Sequence, residues 1–121
     1  MRVLLVDNRT LFLQGLQSIL QAGGIDVVGM VLNGEEALAK ARVLKPDIII
    51  LNISGDGRDS FKTMRRAHKE IPEVRFIGFA DSSKNLRAVV RREASGYLLT
   101  EIRSHELLNK LHELEVGAVK H

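Results

Sequence analysis

Two asparagines, Asn8 and Asn52, lie at the predicted strand ends where a parallel α/β protein usually has its catalytic or ligand-binding residues. Asn52 follows the apolar run Ile48-Ile49-Ile50-Leu51, and Asp7-Asn8 follows a similar run at the N-terminus. The carboxyl ends of buried parallel strands are where ligands bind. A carboxylate at position 52 would be a candidate nucleophile or metal ligand, but an amide is a poor nucleophile and carries no charge. The function of the chain therefore depends on what surrounds Asn52.

Short apolar runs alternate with helical patterns along the chain. The predicted strands run from Arg2 to Val6, Asp26 to Val31, Asp47 to Leu51, Val74 to Phe79 and Gly96 to Leu99. The predicted helices run from Thr10 to Ala22, Asn33 to Leu44, Arg58 to Glu70, Ser83 to Glu93 and Ser104 to Glu115. Asn33 is the expected cap of its helix, with Glu36 completing a capping box.

This alternation predicts an α/β fold with right-handed crossovers and a doubly wound five-stranded parallel sheet, in the order 2-1-3-4-5. The switch point of that order lies between strands one and three, where Asp7, Asn8 and Asn52 should converge. Ala80, after strand four, and Thr100, after strand five, should join them in one shallow pocket. Because the sequence has no linker or repeat, residues 1–121 are expected to form a single domain.

Composition narrows the class of protein. The 121 residues include no cysteine, so disulfides and thiolate metal sites are excluded. No apolar stretch approaches the roughly 18 residues that span a membrane, and Asp7 comes too early for a signal peptide, so a cytoplasmic location is expected. The net charge of +3 does not by itself indicate nucleic-acid binding.

Five stretches of the chain have the residues and order of a known family. They are Leu4-Leu5-Val6-Asp7, Leu11-Phe12-Leu13-Gln14-Gly15-Leu16, Asn33-Gly34-Glu35-Glu36-Ala37-Leu38, Lys45-Pro46-Asp47-Ile48-Ile49-Ile50-Leu51 and Ala94-Ser95-Gly96-Tyr97-Leu98-Leu99. Together they resemble the receiver domain of two-component response regulators, and most closely the LuxR-like class. The resemblance covers nearly the whole chain and implies the flavodoxin-like receiver fold.

The pocket departs from the receiver pattern. The resemblance puts the metal-binding acidic pair at Asp7-Asn8 and the phosphoacceptor aspartate at Asn52. The lysine after strand five falls on Thr100, and the Ser/Thr after strand four falls on Ala80, or on Gly78 if the alignment has no gap. Phosphoryl transfer needs a nucleophile, a cation and positioned donors. We therefore expect no phosphorylation, no cofactor and no catalytic residue.

Several of these residues have a simpler alternative role. Asn52 could merely bond the loop backbone, and Asp7 could be a loop cap rather than a metal ligand. No metal is expected, with Asp7 and Asp56 as weak candidates. Tyr97 matches the switch aromatic of receivers, although packing in a half-buried strand is an alternative.

The resulting prediction is a degenerate receiver that acts as a phosphorylation-independent interaction or dimerisation module, not as an enzyme. Receivers use the face made of helix four, strand five and helix five for dimers and partners. On that face we expect a protein partner or a second copy to contact Lys84, Arg87, Arg91, Arg103 and Lys110. A solvated basic face is the alternative.

The sequence is also compatible with other functions. One is a phosphoacceptor that uses Asp56, Ser54 or Asp7, and another is a small-molecule-binding module. The chain could also be part of a longer LuxR-like transcription regulator. DNA would then be bound only through an output domain absent from this chain.

Overall fold

A five-stranded parallel sheet with the order β2-β1-β3-β4-β5 organises the protein, as predicted. The computed structural model describes residues 1–53, 58–80, 96–99, 109 and 111–113. Along the chain the elements are β1 (Arg2–Val6), α1 (Thr10–Ala22), β2 (Asp26–Val31), α2 (Gly34–Leu44), β3 (Ile48–Ile53), α3 (Arg58–Glu70), β4 (Arg75–Ala80) and β5 (Gly96–Leu99). The predicted fourth helix lies outside the described residues. Of the predicted last helix, residues 109 and 111–113 are described and are helical.

Side-chain alternation in the central strands divides the core into two layers. Leu4 of β1 and Ile49 of β3 pack in a cluster with buried residues of α2 and α3. Val3 and Ile48 pack in the opposite cluster with residues of α1 and with Leu111. Because strands buried on both faces need apolar residues at every position, the continuous run in β3 suits the centre of a doubly wound sheet. Each fully buried aliphatic side chain contributes about 1.5–3 kcal/mol to folding.

The loop between α2 and β3 joins the amino ends of the neighbouring strands β1 and β3. Lys45 ends α2 in the left-handed conformation, with φ 50°, and Pro46 prevents the helix from continuing. Asp47 then pairs with Arg2 in both directions, since its N–H donates to the Arg2 carbonyl and its Oδ2 accepts the Arg2 N–H, each at 2.8 Å. This carboxylate therefore organises the amino edge of the sheet, opposite the candidate site.

Two predicted strands are displaced toward their carboxyl ends. β3 begins at Ile48 instead of Asp47 and continues to Ile53, so Asn52 lies inside the strand rather than at its end. β4 runs from Arg75 to Ala80 because the Val74 N–H is used in a turn, donating to the Ile71 carbonyl at 3.1 Å. Ala80 is consequently the last residue of β4, not the first residue after it. The pairing of Ile53 with Ala80 extends both strands.

Candidate functional site

The candidate site lies at the carboxyl ends of β1 and β3, where the sheet order changes direction. Asp7 directly follows β1, and its N–H donates to the Val31 carbonyl of β2 at 3.1 Å. Among the residues whose burial the structure describes, Asp7 is the one buried charged residue, with 4% of its surface exposed. An ionised carboxylate at such depth needs a compensating partner.

A small polar cleft opens beside Asp7. Its volume is about 170 Å³, and it is lined by Val6, Asp7, Asn8, Leu32, Asn33, Gly34, Leu51, Asn52, Asp59 and Thr63. The structure thus brings together Asp7, Asn8 and Asn52, as the sequence predicted. Asn52 is partly buried, while Asn8 is exposed. A wider cleft of about 370 Å³ between α2 and α3 shares part of this lining and adds Lys62 and Arg66.

The start of α2 forms one wall of the cleft and is capped as predicted. The Oδ1 of Asn33 accepts the Glu36 N–H at 2.9 Å. Glu36 reaches back, but its Oε2 accepts the N–H of Leu32 at 3.1 Å rather than that of Asn33. Glu35 and Glu36 place negative charge in the first turn, where the helix dipole favours it.

Sequence reasoning missed the residue that contacts Asp7 most closely. Arg9 donates from Nε to Oδ1 at 3.0 Å and to Oδ2 at 3.1 Å, and from Nη2 to Oδ2 at 2.6 Å. The Arg9 N–H also donates to Oδ1, at 3.0 Å. The Asp7 carboxylate therefore pairs with the forked guanidinium of Arg9. It also caps the loop, which is the role that the sequence favoured for it. The sequence Asp7-Asn8-Arg9 could have indicated this pairing, because an aspartate side chain commonly accepts the backbone N–H of the residue two positions later.

This arrangement does not fit a divalent metal ion. Mg²⁺ prefers charged oxygen ligands in octahedral geometry, but both oxygens of Asp7 accept from Arg9. Asn8 and Asn52 offer uncharged amides. Over the part of the chain that the structure describes, no three His, Asp or Glu side chains are grouped so that they could hold a metal. Asp56, the other weak candidate, lies outside those residues.

Of the remaining predicted site residues, the structure describes the backbone of some, and the others lie outside the described residues. The backbone of Ala80 pairs with Leu99, and that of Gly78 pairs with Tyr97, in the β4–β5 ladder. The structure therefore puts Tyr97 in β5 as predicted, without describing its side chain. Outside the described residues lie Ser54, Asp56, Lys84, Arg87, Arg91, Thr100, Arg103 and Lys110. Asp59 and Thr63 of α3 line the cleft, although the sequence did not indicate them as pocket residues.

Comparison with known proteins identifies the family. The model of the response regulator receiver domain matches residues 3–112. The chain belongs to the response regulator receiver domain family. The receiver fold agrees with solved structures as well. The signal receiver domain of a response regulator NarL from Mycobacterium tuberculosis matches with a TM-score of 0.84 and 23% identity over 96% of each chain. A CheY-like receiver from Methanospirillum hungatei matches with a TM-score of 0.86 and 24% identity, over 98% of this chain and 96% of that one.

Curated relatives of this receiver include longer response regulators. The nitrate/nitrite response regulator NarL of Escherichia coli is 29% identical over 95% of this chain and 55% of its own length. The transcriptional regulatory protein LiaR of Bacillus subtilis is 28% identical over 98% of this chain and 58% of its own length. The receiver thus spans just over half the length of these relatives, and it is similar in sequence to the receiver parts of NarL and LiaR. In its described residues, no helix has the length and apolar character needed to cross a membrane.

Proposed function

We propose that this receiver works without phosphorylation, as a protein-interaction or dimerisation module in two-component signalling. The observation that supports the proposal is the cleft itself, which Asn52 lines and in which Arg9 is paired with the carboxylate of Asp7. The resemblance to receivers implies that Asn52 stands at the phosphoacceptor position. Transfer of a phosphoryl group needs an oxygen nucleophile and a cation that neutralises the phosphate. An amide and a paired carboxylate supply neither.

Exposure to a small-molecule phosphodonor tests this proposal. The receiver is incubated with acetyl phosphate and Mg²⁺ and its intact mass is measured, beside a receiver that retains the aspartate as positive control. We expect the control to gain a phosphoryl group and this chain to gain none. A stable adduct on this chain would refute the proposal, and peptide mapping would then show whether Ser54, Asp56 or Asp7 had accepted the group.

The interaction surface that we propose is the face of helix four, β5 and helix five. On the sequence prediction this face would carry Lys84, Arg87, Arg91, Arg103 and Lys110, and arginine is well suited to charged contacts at interfaces. Size-exclusion chromatography with light scattering should give a dimer mass that falls to the monomer mass in the double variant Arg87→Glu/Arg91→Glu. Arg65→Glu, on the exposed side of α3, makes the same kind of change elsewhere and should leave the mass unchanged. A double variant that keeps the dimer mass would place the interface on another face.

The proposed setting is transcription regulation in the cytoplasm. Residues 1–121 would form the regulatory domain, and DNA would be bound by an output domain outside this chain. The names of the relatives NarL and LiaR, and their greater lengths, support this setting. We propose no enzymatic activity and no cofactor. A protein-glutamate methylesterase of Methanospirillum hungatei is also a relative at 37% identity, but the match covers only 28% of its length.

Noncovalent binding of a small polar molecule is a second candidate, favoured by the amide-lined cleft of about 170 Å³. A thermal-shift screen across phosphates and metabolites tests it. A ligand present at 100 times its dissociation constant adds about 2.7 kcal/mol to the stability of the folded state. The absence of any stabilisation across the screen would count against this second function.

A further inference from the structure

One side chain satisfies the buried carboxylate of the cleft on both of its oxygens. The Asp7 side chain is 3% exposed, and the closest contact of the ion pair joins Arg9 Nη2 to Oδ2 at 2.6 Å. Nε of Arg9 lies within 3.1 Å of each oxygen. A paired and hydrogen-bonded carboxylate can stay ionised at this depth, whereas an isolated one would be costly. The charge of Asp7 is therefore balanced within the protein.

A second contact holds the guanidinium in this position. The Cζ of Arg9 lies 4.2 Å from the centroid of the Phe12 ring, which is within the range of a cation–π interaction. Phe12 in turn packs against the core cluster of α1. Arg9 is also the residue directly before α1, so the start of the helix restrains its backbone. A guanidinium that left Asp7 would therefore lose its contact with the Phe12 ring as well as the ion pair.

The buried charge of Asp7 is balanced without a metal ion. Asp7 contributes one negative charge and Arg9 one positive charge, while Asn8 and Asn52 are neutral. Asp59 is a second carboxylate in the lining of the cleft, but it is exposed. We infer that the guanidinium of Arg9 takes the place of the divalent cation that the receiver family implies, and that it holds the cleft in one charge state. This inference deepens the proposed function, because a receiver with an internal cation needs neither metal nor phosphate to stay in one conformation.

Restoring the missing acids makes the competition between guanidinium and metal measurable. Three proteins are titrated with Mg²⁺ by calorimetry: the unchanged chain, the variant Asn8→Asp/Asn52→Asp, and that variant with Arg9→Gln added. We expect no saturable binding to the unchanged chain. We expect the triple variant to bind Mg²⁺ at least about tenfold more tightly than the double variant, since each tenfold step in Kd corresponds to about 1.4 kcal/mol.

The matched control adds Arg42→Gln to the double variant in place of Arg9→Gln. Arg42 pairs with Glu70 at 2.7 Å in the last turn of α2, at the opposite end of that helix from the cleft. The substitution Arg42→Gln therefore removes the same charge from a salt bridge without changing a residue of the cleft. We expect its Mg²⁺ affinity to remain that of the double variant.

Two results would overturn the inference. One is saturable Mg²⁺ binding to the unchanged chain with amide NMR shifts at Asp7, and the other is equal Mg²⁺ affinity with and without Arg9. If the triple variant shows no cooperative unfolding, Arg9→Gln alone is titrated with Mn²⁺. Broadening of the Asp7 amide signal that the unchanged chain lacks would then support the inference, and its absence would overturn it. No phosphodonor is present, so the outcome is independent of the phosphorylation test.

Discussion

Thr63 of α3 packs directly against Gly34, the first residue of α2. A Cβ added to Gly34 would overlap the Thr63 hydroxyl and would also press on Cβ and Cγ2 of that residue, at 3.2 and 3.3 Å. Both residues line the cleft beside Asp7. The glycine at position 34 therefore lets the two helices approach closely enough to form the wall of the site.

The first prediction concerns this contact. We expect Gly34→Ala to lower the free energy of unfolding by about 1–3 kcal/mol, because the added methyl group forces the packed helices apart. Urea denaturation measures the change. The double variant Gly34→Ala/Thr63→Ala should recover part of the loss, since residues in contact are not additive.

Gly15 provides the control for that prediction. It lies inside α1, and a Cβ added there meets no atom within 4 Å. Gly15→Ala should therefore raise the free energy of unfolding by about 0.5–1 kcal/mol through helix propensity alone. If both alanine variants stabilise the protein, the close packing of Gly34 against Thr63 is wrong.

The sequence predicted the elements that depend on local signals. The bounds of β1, α1, β2, α3 and β5 agree with the structure, because glycine and proline punctuation and the apolar period act within a few residues. The ends of β3 and β4 were wrong by one or two residues. Their carboxyl ends are decided by ladder pairing between Ile53 and Ala80, which are far apart in the sequence.

The site was predicted in its position but not in its charge partner. Topology alone brought Asp7 and Asn52 to one cleft, since the order 2-1-3-4-5 puts their strands side by side. The pairing of Arg9 with Asp7 depends on the rotamer of a long side chain, which the hydrophobic pattern does not specify. Thr63 was missed because its contact with Gly34 joins two helices that are far apart in the sequence.

The second prediction concerns the ion pair at the base of the cleft. A double-mutant cycle with Asp7→Asn and Arg9→Gln should give a coupling free energy of about 1–2 kcal/mol, measured by urea denaturation. The Arg9 side chain is 44% exposed, so the value should fall below that of a fully buried pair.

The exposed pair of Arg42 and Glu70 is the reference for this cycle. Its side chains are 51% and 35% exposed, so the same cycle with glutamine at both positions should couple by less than about 0.5 kcal/mol. An Asp7–Arg9 coupling no larger than this reference would contradict the role given to Arg9.

The third prediction concerns the cap of α2. We expect Asn33→Ala to lower the free energy of unfolding by about 1 kcal/mol, because the Glu36 N–H loses its acceptor. Asn33→Asp keeps an acceptor and adds a negative charge at the helix N-terminus, so its stability should be unchanged or higher. Thermal unfolding of the two variants measures the difference. Equal losses in the two variants would mean that the loss does not come from the hydrogen bond to the Glu36 N–H.

The fourth prediction compares the same change of charge at Asn52 and at Asn33, two of the three asparagines that line the cleft. Asn52→Asp adds a carboxylate to a cleft that already has those of Asp7 and Asp59, and the guanidinium of Arg9 is already paired with Asp7. Repulsion between the carboxylates should lower the free energy of unfolding by about 1 kcal/mol, measured in EDTA at neutral pH. Asn33→Asp is the matched control, because the same change of amide to carboxylate occurs at a helix N-terminus in the same cleft. A variant Asn52→Asp as stable as the control would mean that the neutral amide at position 52 does not protect the cleft from charge repulsion, and Asn52 would then be a bystander in its electrostatics.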